Sequence, residues 1–147
     1  MERRQVMAYD LSNGNAAPGL IWEGIPSVVE TGVLQEDKNS EGGFVLWGKE
    51  GEGDNVYITK PSEGAYFKGI GVRKTVQSSF EAGDTIGVMK KGRIWVKALG
   101  ECLSGQKAYI ANANNGITAT SADGTEIVGG TFTSNAADGQ LVELEIL

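Results

Sequence analysis

Asp37, Glu41, Glu50, Glu52, Asp54 and Glu63 are the residues whose type and spacing come nearest to a chemical site. Carboxylates from separate loops could converge on a hard cation such as Ca²⁺, which takes oxygen ligands, or serve as the acid and base of a glycosidase pair. No Asp-x-Asp-x-Asp-Gly loop arranges them, so they read as solvated loop carboxylates. Cys102 is the one thiol, and no histidine occurs in the chain to lower its pKa. It therefore reads as a small buried hydrophobe without a disulfide partner. The lack of histidine also removes the commonest general base and metal ligand, and makes a His-based triad impossible within one chain. Gly48-Lys49-Glu50-Gly51-Glu52-Gly53 and Gly69-Ile70-Gly71 lack the spacing and following helix of a phosphate-binding loop. No catalytic residue, cofactor or metal site is expected.

Charge and aromatic residues point toward binding. The formal net charge is −6, which disfavours a nucleic-acid partner because phosphate binding depends on clustered Lys and Arg. Lys90, Lys91, Arg93 and Lys97 nevertheless gather basic charge in one stretch, suited to an acidic partner. Trp22, Trp47 and Trp95 divide between two readings, core packing and interface anchoring, with core packing preferred.

The elements that must carry these residues read as strands. From Glu81 to Lys97, Ile86 and Val88 alternate with Thr85 and Gly87, and Ile94 and Val96 alternate with Arg93, Trp95 and Lys97. The spacing predicts a β-hairpin turning at Lys90-Lys91-Gly92, with further turns at Ala82-Gly83-Asp84 and Leu103-Ser104-Gly105-Gln106. Phe44–Gly48 is a buried-strand candidate, followed by strands at Val56–Thr59 and Tyr66–Arg73. Ala108–Ala111 and Gly116–Ala119 form a second predicted hairpin through Asn112–Asn115. Ala122–Thr125 and Gly129-Gly130 read as punctuation around a short strand, Thr131–Thr133. At the end, Val142, Leu144 and Ile146 face one way while Glu143 and Glu145 face the other.

No window holds apolar residues at helical spacing for three turns. The expected fold is all-β, a compact β-barrel or jelly-roll-like sandwich of about ten short antiparallel strands. The 22 glycines, without a period, suit many tight turns. At 147 residues, one domain over 20–147 is expected, preceded by an extended N-terminal arm over 1–19 whose Ser12–Asn15 and Ala16–Gly19 are dense in breakers. No apolar run follows Met1-Glu2-Arg3-Arg4 and no stretch has membrane-spanning length, so no membrane association is expected and synthesis in the cytoplasm is.

One likeness covers nearly the whole chain. It runs through Ala17–Ile21, Phe44–Gly48, Phe67–Val72, Gly83–Val96, Gly105–Ile110, Gly130–Phe132 and Ala137–Leu144. In this order the segments resemble the structural cement, or head decoration, proteins of tailed bacteriophages, with Lys91-Gly92-Arg93-Ile94-Trp95-Val96, followed by Ala108-Tyr109-Ile110 and Gly130-Thr131-Phe132, the most specific part. The resemblance implies a small barrel or jelly roll on the outer surface of an icosahedral head, clamping major capsid protein subunits against packaged DNA and associating with itself as a dimer or trimer. It implies a virion protein made in the host cytoplasm, and no enzyme. The contacts expected with capsid or neighbour are Arg3, Arg4, Tyr9, Leu11, Pro18, Leu20, Trp22, Lys90, Lys91, Arg93 and Trp95, together with the loop after Val33. A carbohydrate-binding or receptor-binding module of a phage tail is the alternative. A small carboxylate enzyme would need an Asp or Glu of raised pKa in a pocket.

Overall fold

The computed structural model describes residues 17–22, 25–74, 79–122 and 124–147. Its strands are β1 (Ile21–Trp22), β2 (Val28–Leu34), β3 (Val45–Lys49), β4 (Asn55–Val56), β5 (Ala65–Val72), β6 (Thr85–Lys97), β7 (Lys107–Ala111), β8 (Ile117–Thr118), β9 (Gly124–Phe132) and β10 (Leu141–Ile146). They form one ten-stranded sheet, nearly closed into a barrel. No helix occurs among the described residues.

The predicted central hairpin is a single strand. Thr85–Lys97 runs for 13 residues without reversing, and Lys90-Lys91-Gly92 lies within it. What changes there is the set of neighbours. Gly87, Val88 and Met89 lie between β2 and β5, whereas Arg93 and Ile94 lie between β1 and β10. Val28 pairs with Lys91 but Val29 pairs with Met89, so Lys90 is the extra residue of a β-bulge. Gly92 has φ 130°, and a Cβ placed on it would come 2.7 Å from the Ser27 Cβ, so the chain entering β2 passes directly against β6 here. The features that mimic a turn accommodate a change of partners instead.

Each half of the ladder comes back on itself. Around the first half of β6, β2 pairs in parallel with β4, Tyr57 bridges Trp47 of β3, and β3 pairs with β5, which returns to β6. Leu34, Leu46, Val56, Phe80, Ile86 and Val88 pack together there. Around the second half, the order runs β10, β9, β7 and β8, and Ile117 of β8 bridges Ala98 just past β6. Ile94, Val96, Ile110, Phe132, Val142 and Leu144 belong to the larger cluster packed there. Val45, Trp47, Ile70 and Met89 join that second cluster, because successive side chains of a strand point to opposite faces. Leu46 and Val88 thus pack one core while their neighbours Trp47 and Met89 pack the other.

Asn115 ties the two halves at a seam. Its backbone is left-handed, with φ 59°, as the Asn-rich turn between β7 and β8 suggests. Trp47 Nε1–H donates to Asn115 Oδ1 at 3.2 Å, and Asn115 Nδ2 donates to the Ile58 carbonyl at 2.9 Å. Trp47 also meets Phe67 edge to face, with ring centroids 6.4 Å apart.

The β7–β8 hairpin and the turns at Gly83 and Gly105 match expectation. So does the alternation of β10, where Val142, Leu144 and Ile146 are buried. Two further expectations need correction. Gly129-Gly130 does not end a strand: Gly124–Phe132 is one nine-residue strand with an irregularity between Glu126 and Thr131. Not every pairing is antiparallel, since β2 and β4 run side by side in the same direction.

Candidate functional site

Of the six loop carboxylates, Asp37, Glu41 and Glu52 are each engaged by a different partner. Asp37 Oδ1 accepts the Ala82 N–H at 2.8 Å, and Glu41 pairs with Arg73 at 2.7 Å. Glu52 accepts a short hydrogen bond from the Tyr57 hydroxyl and pairs with Lys49 at 3.7 Å. Among the described residues no group of three or more carboxylates and thiols could hold a metal ion.

Glu52 fastens its own loop. The Tyr57 hydrogen bond is the main reason its carboxyl lies below the ordinary value of 4.5, and the same bond raises the Tyr57 phenol. Stability from a lowered carboxyl is present above the ordinary value and lost as pH falls through the lowered one. Tyr57→Phe is expected to move the Glu52 titration upward in an NMR pH series; an unchanged titration would remove Tyr57 as the cause. Cys102 is fully buried in the core, and that burial raises its thiol pKa, as befits a packing residue.

The residues brought together at the surface are those around the middle of β6. Trp22 stands opposite Arg93, and the Arg93 guanidinium lies 4.9 Å from the Trp22 ring centroid. Arg93 also reaches Glu145 at 3.0 Å and Glu143 at 3.9 Å, both on β10. Thr133 Oγ1 donates to Glu143 at 2.8 Å. The arrangement is an aromatic ring held by a cation that two carboxylates hold in turn. Trp22 is 42% exposed while Glu143 and Glu145 are largely covered, so the ring is the part offered outward.

The other expected contact residues divide. Leu20 is exposed, and its carbonyl accepts the Trp95 N–H at 3.0 Å. Trp95 is half-buried, and its carbonyl accepts the Gly19 N–H at 2.8 Å. Pro18 is half-buried at the edge of a recess of about 540 Å³ that Lys38, Phe44, Lys97 and Asn115 also line. Lys90 pairs with Glu30 at 3.5 Å, whereas Lys91 is exposed and makes no ion pair with the described residues. The basic stretch is therefore no hairpin tip: Lys90 and Arg93 are paired within the molecule, while Lys91 and Lys97 are exposed and make no ion pair with the described residues. Arg3, Arg4, Tyr9 and Leu11 lie outside the described residues.

Of the three tryptophans, Trp47 packs in the core as preferred, Trp95 is half-buried and Trp22 is exposed. Sequence reasoning missed Val28, Val29, Val128 and Leu147, all exposed. Val28-Val29 looked like ordinary strand content, and no pattern in the sequence marks which strand lacks a covering layer. Val128 precedes the glycine pair that was read as a break, and Leu147 donates its N–H to the Gly129 carbonyl at 3.1 Å.

The profile of the family described as structural cement protein (E217 gp24/Pam3 gp6) matches residues 6–147. The chain belongs to the phage structural cement protein family. As a cement protein it is a structural component of a phage head. Among solved structures, a chain from the capsid of Myoviridae phage XM1 is similar, with a TM-score of 0.72 and 15% identity over 95% of this chain and 98% of that one. The head fiber gp8.5 N base of bacteriophage phi29 is similar with a TM-score of 0.50 and 16% identity, over 83% of this chain and 95% of that one. At such identities the likeness is one of fold. No curated protein matches this cement protein in sequence.

Proposed function

We propose that this cement protein binds the outer surface of the phage head and strengthens contacts between major capsid protein subunits, transforming no substrate. The observation that carries the reading is the family match over residues 6–147. The surface supports it: an exposed Trp22 backed by Arg93 and its two carboxylates is the kind of rigid aromatic anchor that protein interfaces use. A net charge of −6 suits a position where DNA is not the partner. Because many copies repeat on one shell, a modest contact per copy multiplies through valency.

Heads assembled without the protein, then incubated with it and sedimented, are expected to carry it and to release their DNA at a higher temperature than bare heads. Bare heads of equal heat resistance would reject the reading. The N-terminal arm is proposed to contribute to this contact. Removing residues 1–15 is expected to leave a protein with parental thermal unfolding that no longer sediments with heads. Undiminished sedimentation would exclude the arm.

A further inference from the structure

The recess beside Pro18 differs in charge from the rest of the molecule. Phe44, Leu99 and Ile117 give it an apolar lining, and Lys38 and Lys97 add two cations. No Asp or Glu among the described residues lines it, although the chain as a whole carries a net charge of −6. Lys38 Nζ lies 5.6 Å from the centroid of the Phe44 ring, and Lys97 is exposed. Neither makes an ion pair with the described residues. The complement of such a lining is a carboxylate flanked by apolar groups.

The chain enters the described structure at this same place. Gly19, next to Pro18, donates its N–H to the Trp95 carbonyl at 2.8 Å, and its own carbonyl accepts the Arg73 N–H at 3.0 Å. Its backbone has φ 80°, and a Cβ placed on it would lie 2.7 Å from the Gly43 nitrogen and 2.8 Å from the Arg73 nitrogen, so only glycine lets these segments come so close. The root of the N-terminal arm is thus held at the recess edge. In residues 1–16 the carboxylates are Glu2 and Asp10, and Asp10 is flanked by Tyr9 and Leu11. Asn13-Gly14 follows, the dipeptide best suited to a two-residue reversal.

We propose that Tyr9-Asp10-Leu11 folds back onto its own barrel and fills this recess, its carboxylate meeting Lys38 and Lys97 while Tyr9 and Leu11 cover the apolar lining. A reversal centred on Asn13-Gly14 sets Leu11 opposite Ala16, Asp10 opposite Ala17 and Tyr9 opposite Pro18, which brings all three to the recess edge. Arg3 and Arg4 precede Asp10 by six residues or more, about 20 Å along an extended chain, and so clear the lysines they would repel.

Tethering selects this occupant. A segment of the capsid, or of a second copy, must come from solution and give up its translational freedom. Leu11 is joined to Pro18 by six residues, which gives an effective concentration on the order of millimolar. The family profile also begins at residue 6, so Tyr9-Asp10-Leu11 belongs to the matched unit together with the barrel. The seat is a property of the free protein and does not depend on capsid binding.

Three docked residues add little to the unfolding temperature of the barrel, so proximity is the quantity to measure. A zero-length carbodiimide joins a carboxylate to an amine only where the two touch. Applied to the dilute free protein, it is expected to link Asp10 to Lys38 or Lys97 at least five-fold more than to Lys107, which is exposed elsewhere on the barrel. Proteolysis and mass spectrometry identify the link. Tyr9→Ser combined with Leu11→Ser keeps Asp10 and is expected to lower the yield at least five-fold. Asp10 linked equally to all three lysines overturns the docking, and a parental yield from the double variant overturns the apolar part of the seat. In an equal mixture of ¹⁵N-labelled and unlabelled protein the links are expected to stay within one isotope. Links of mixed isotope would show a second copy's arm in the recess and overturn the fold-back. No link in the free protein, with Lys97 joined to the capsid protein on heads, would show a capsid segment there and overturn it equally. If the protein fails to sediment with heads while Asp10 still links to Lys38 or Lys97, the proposed function falls and the seat stands.

Discussion

Gly92→Ala is expected to lower the melting temperature by about 10 °C, through the sum of two separate costs. The backbone at Gly92 has φ 130°, a region that side chains avoid at roughly 1–3 kcal/mol. The added methyl would also lie 2.7 Å from the Ser27 Cβ and 3.2 Å from the Ser27 Cα, and relieving such a clash in a packed site costs about 1–3 kcal/mol. Gly51→Ala is the control. Gly51 also has a positive φ, 83°, but nothing lies within 4 Å of an added Cβ, so only the conformational cost of about 1–2 kcal/mol remains. Calorimetry on the two variants separates strain from crowding. Equal shifts for both would mean that the segment before β2 does not press against β6.

Trp22→Ala is expected to weaken head binding about thirty-fold without changing thermal stability much. A buried aromatic anchor at an interface centre is worth 2 kcal/mol or more, which is about that factor. The ring is 42% exposed, so its removal opens little space inside the fold. Arg93→Lys is expected to show an intermediate loss. It keeps the charge but gives up the planar fork that now faces Trp22, Glu143 and Glu145 together. Binding can be read by sedimentation with stripped heads and stability by thermal unfolding. Trp22→Ala that decorates as well as the parent would place the contact elsewhere on the surface.

The parts of the fold that could be read from the sequence are those governed by local pattern. The alternation Val142, Leu144, Ile146 against Glu143 and Glu145 fixes which face of β10 is buried. The run Asn112–Asn115 signals a turn because asparagine tolerates the left-handed backbone that Asn115 adopts. What misled was Lys90-Lys91-Gly92, where two charges and a glycine look like the return of a hairpin. A bulge and a change of neighbouring strands call for the same residue types, since both need an extra residue and a backbone free to leave the ordinary region. The choice between them depends on Ser27, far away in sequence, and no local signal encodes it. Gly129-Gly130 misleads for the same reason, as its irregularity keeps β9 paired with β7 on one side and β10 on the other.

The candidate surface was readable as a list of residues but not as an arrangement. Trp22 and Arg93 do meet, yet the carboxylates that hold Arg93 sit some fifty residues further on. Their outward position looked like simple solvation. The exposure of Val28 and Val29 had no signature at all, because a covered and an uncovered strand can share one sequence pattern.

The continuity of β6 has a mechanical meaning. Ile86 and Val88 of its first half pack one core, while Met89, Ile94 and Val96 pack the other, so the covalent backbone itself joins the two regions. Tension applied to either region would run along peptide bonds and a ladder loaded in shear, rather than peeling a hydrophobic interface apart. Had Lys90-Lys91-Gly92 been a true reversal, the same covalent path would have doubled back through a turn, which opens under load more readily than a continuous strand.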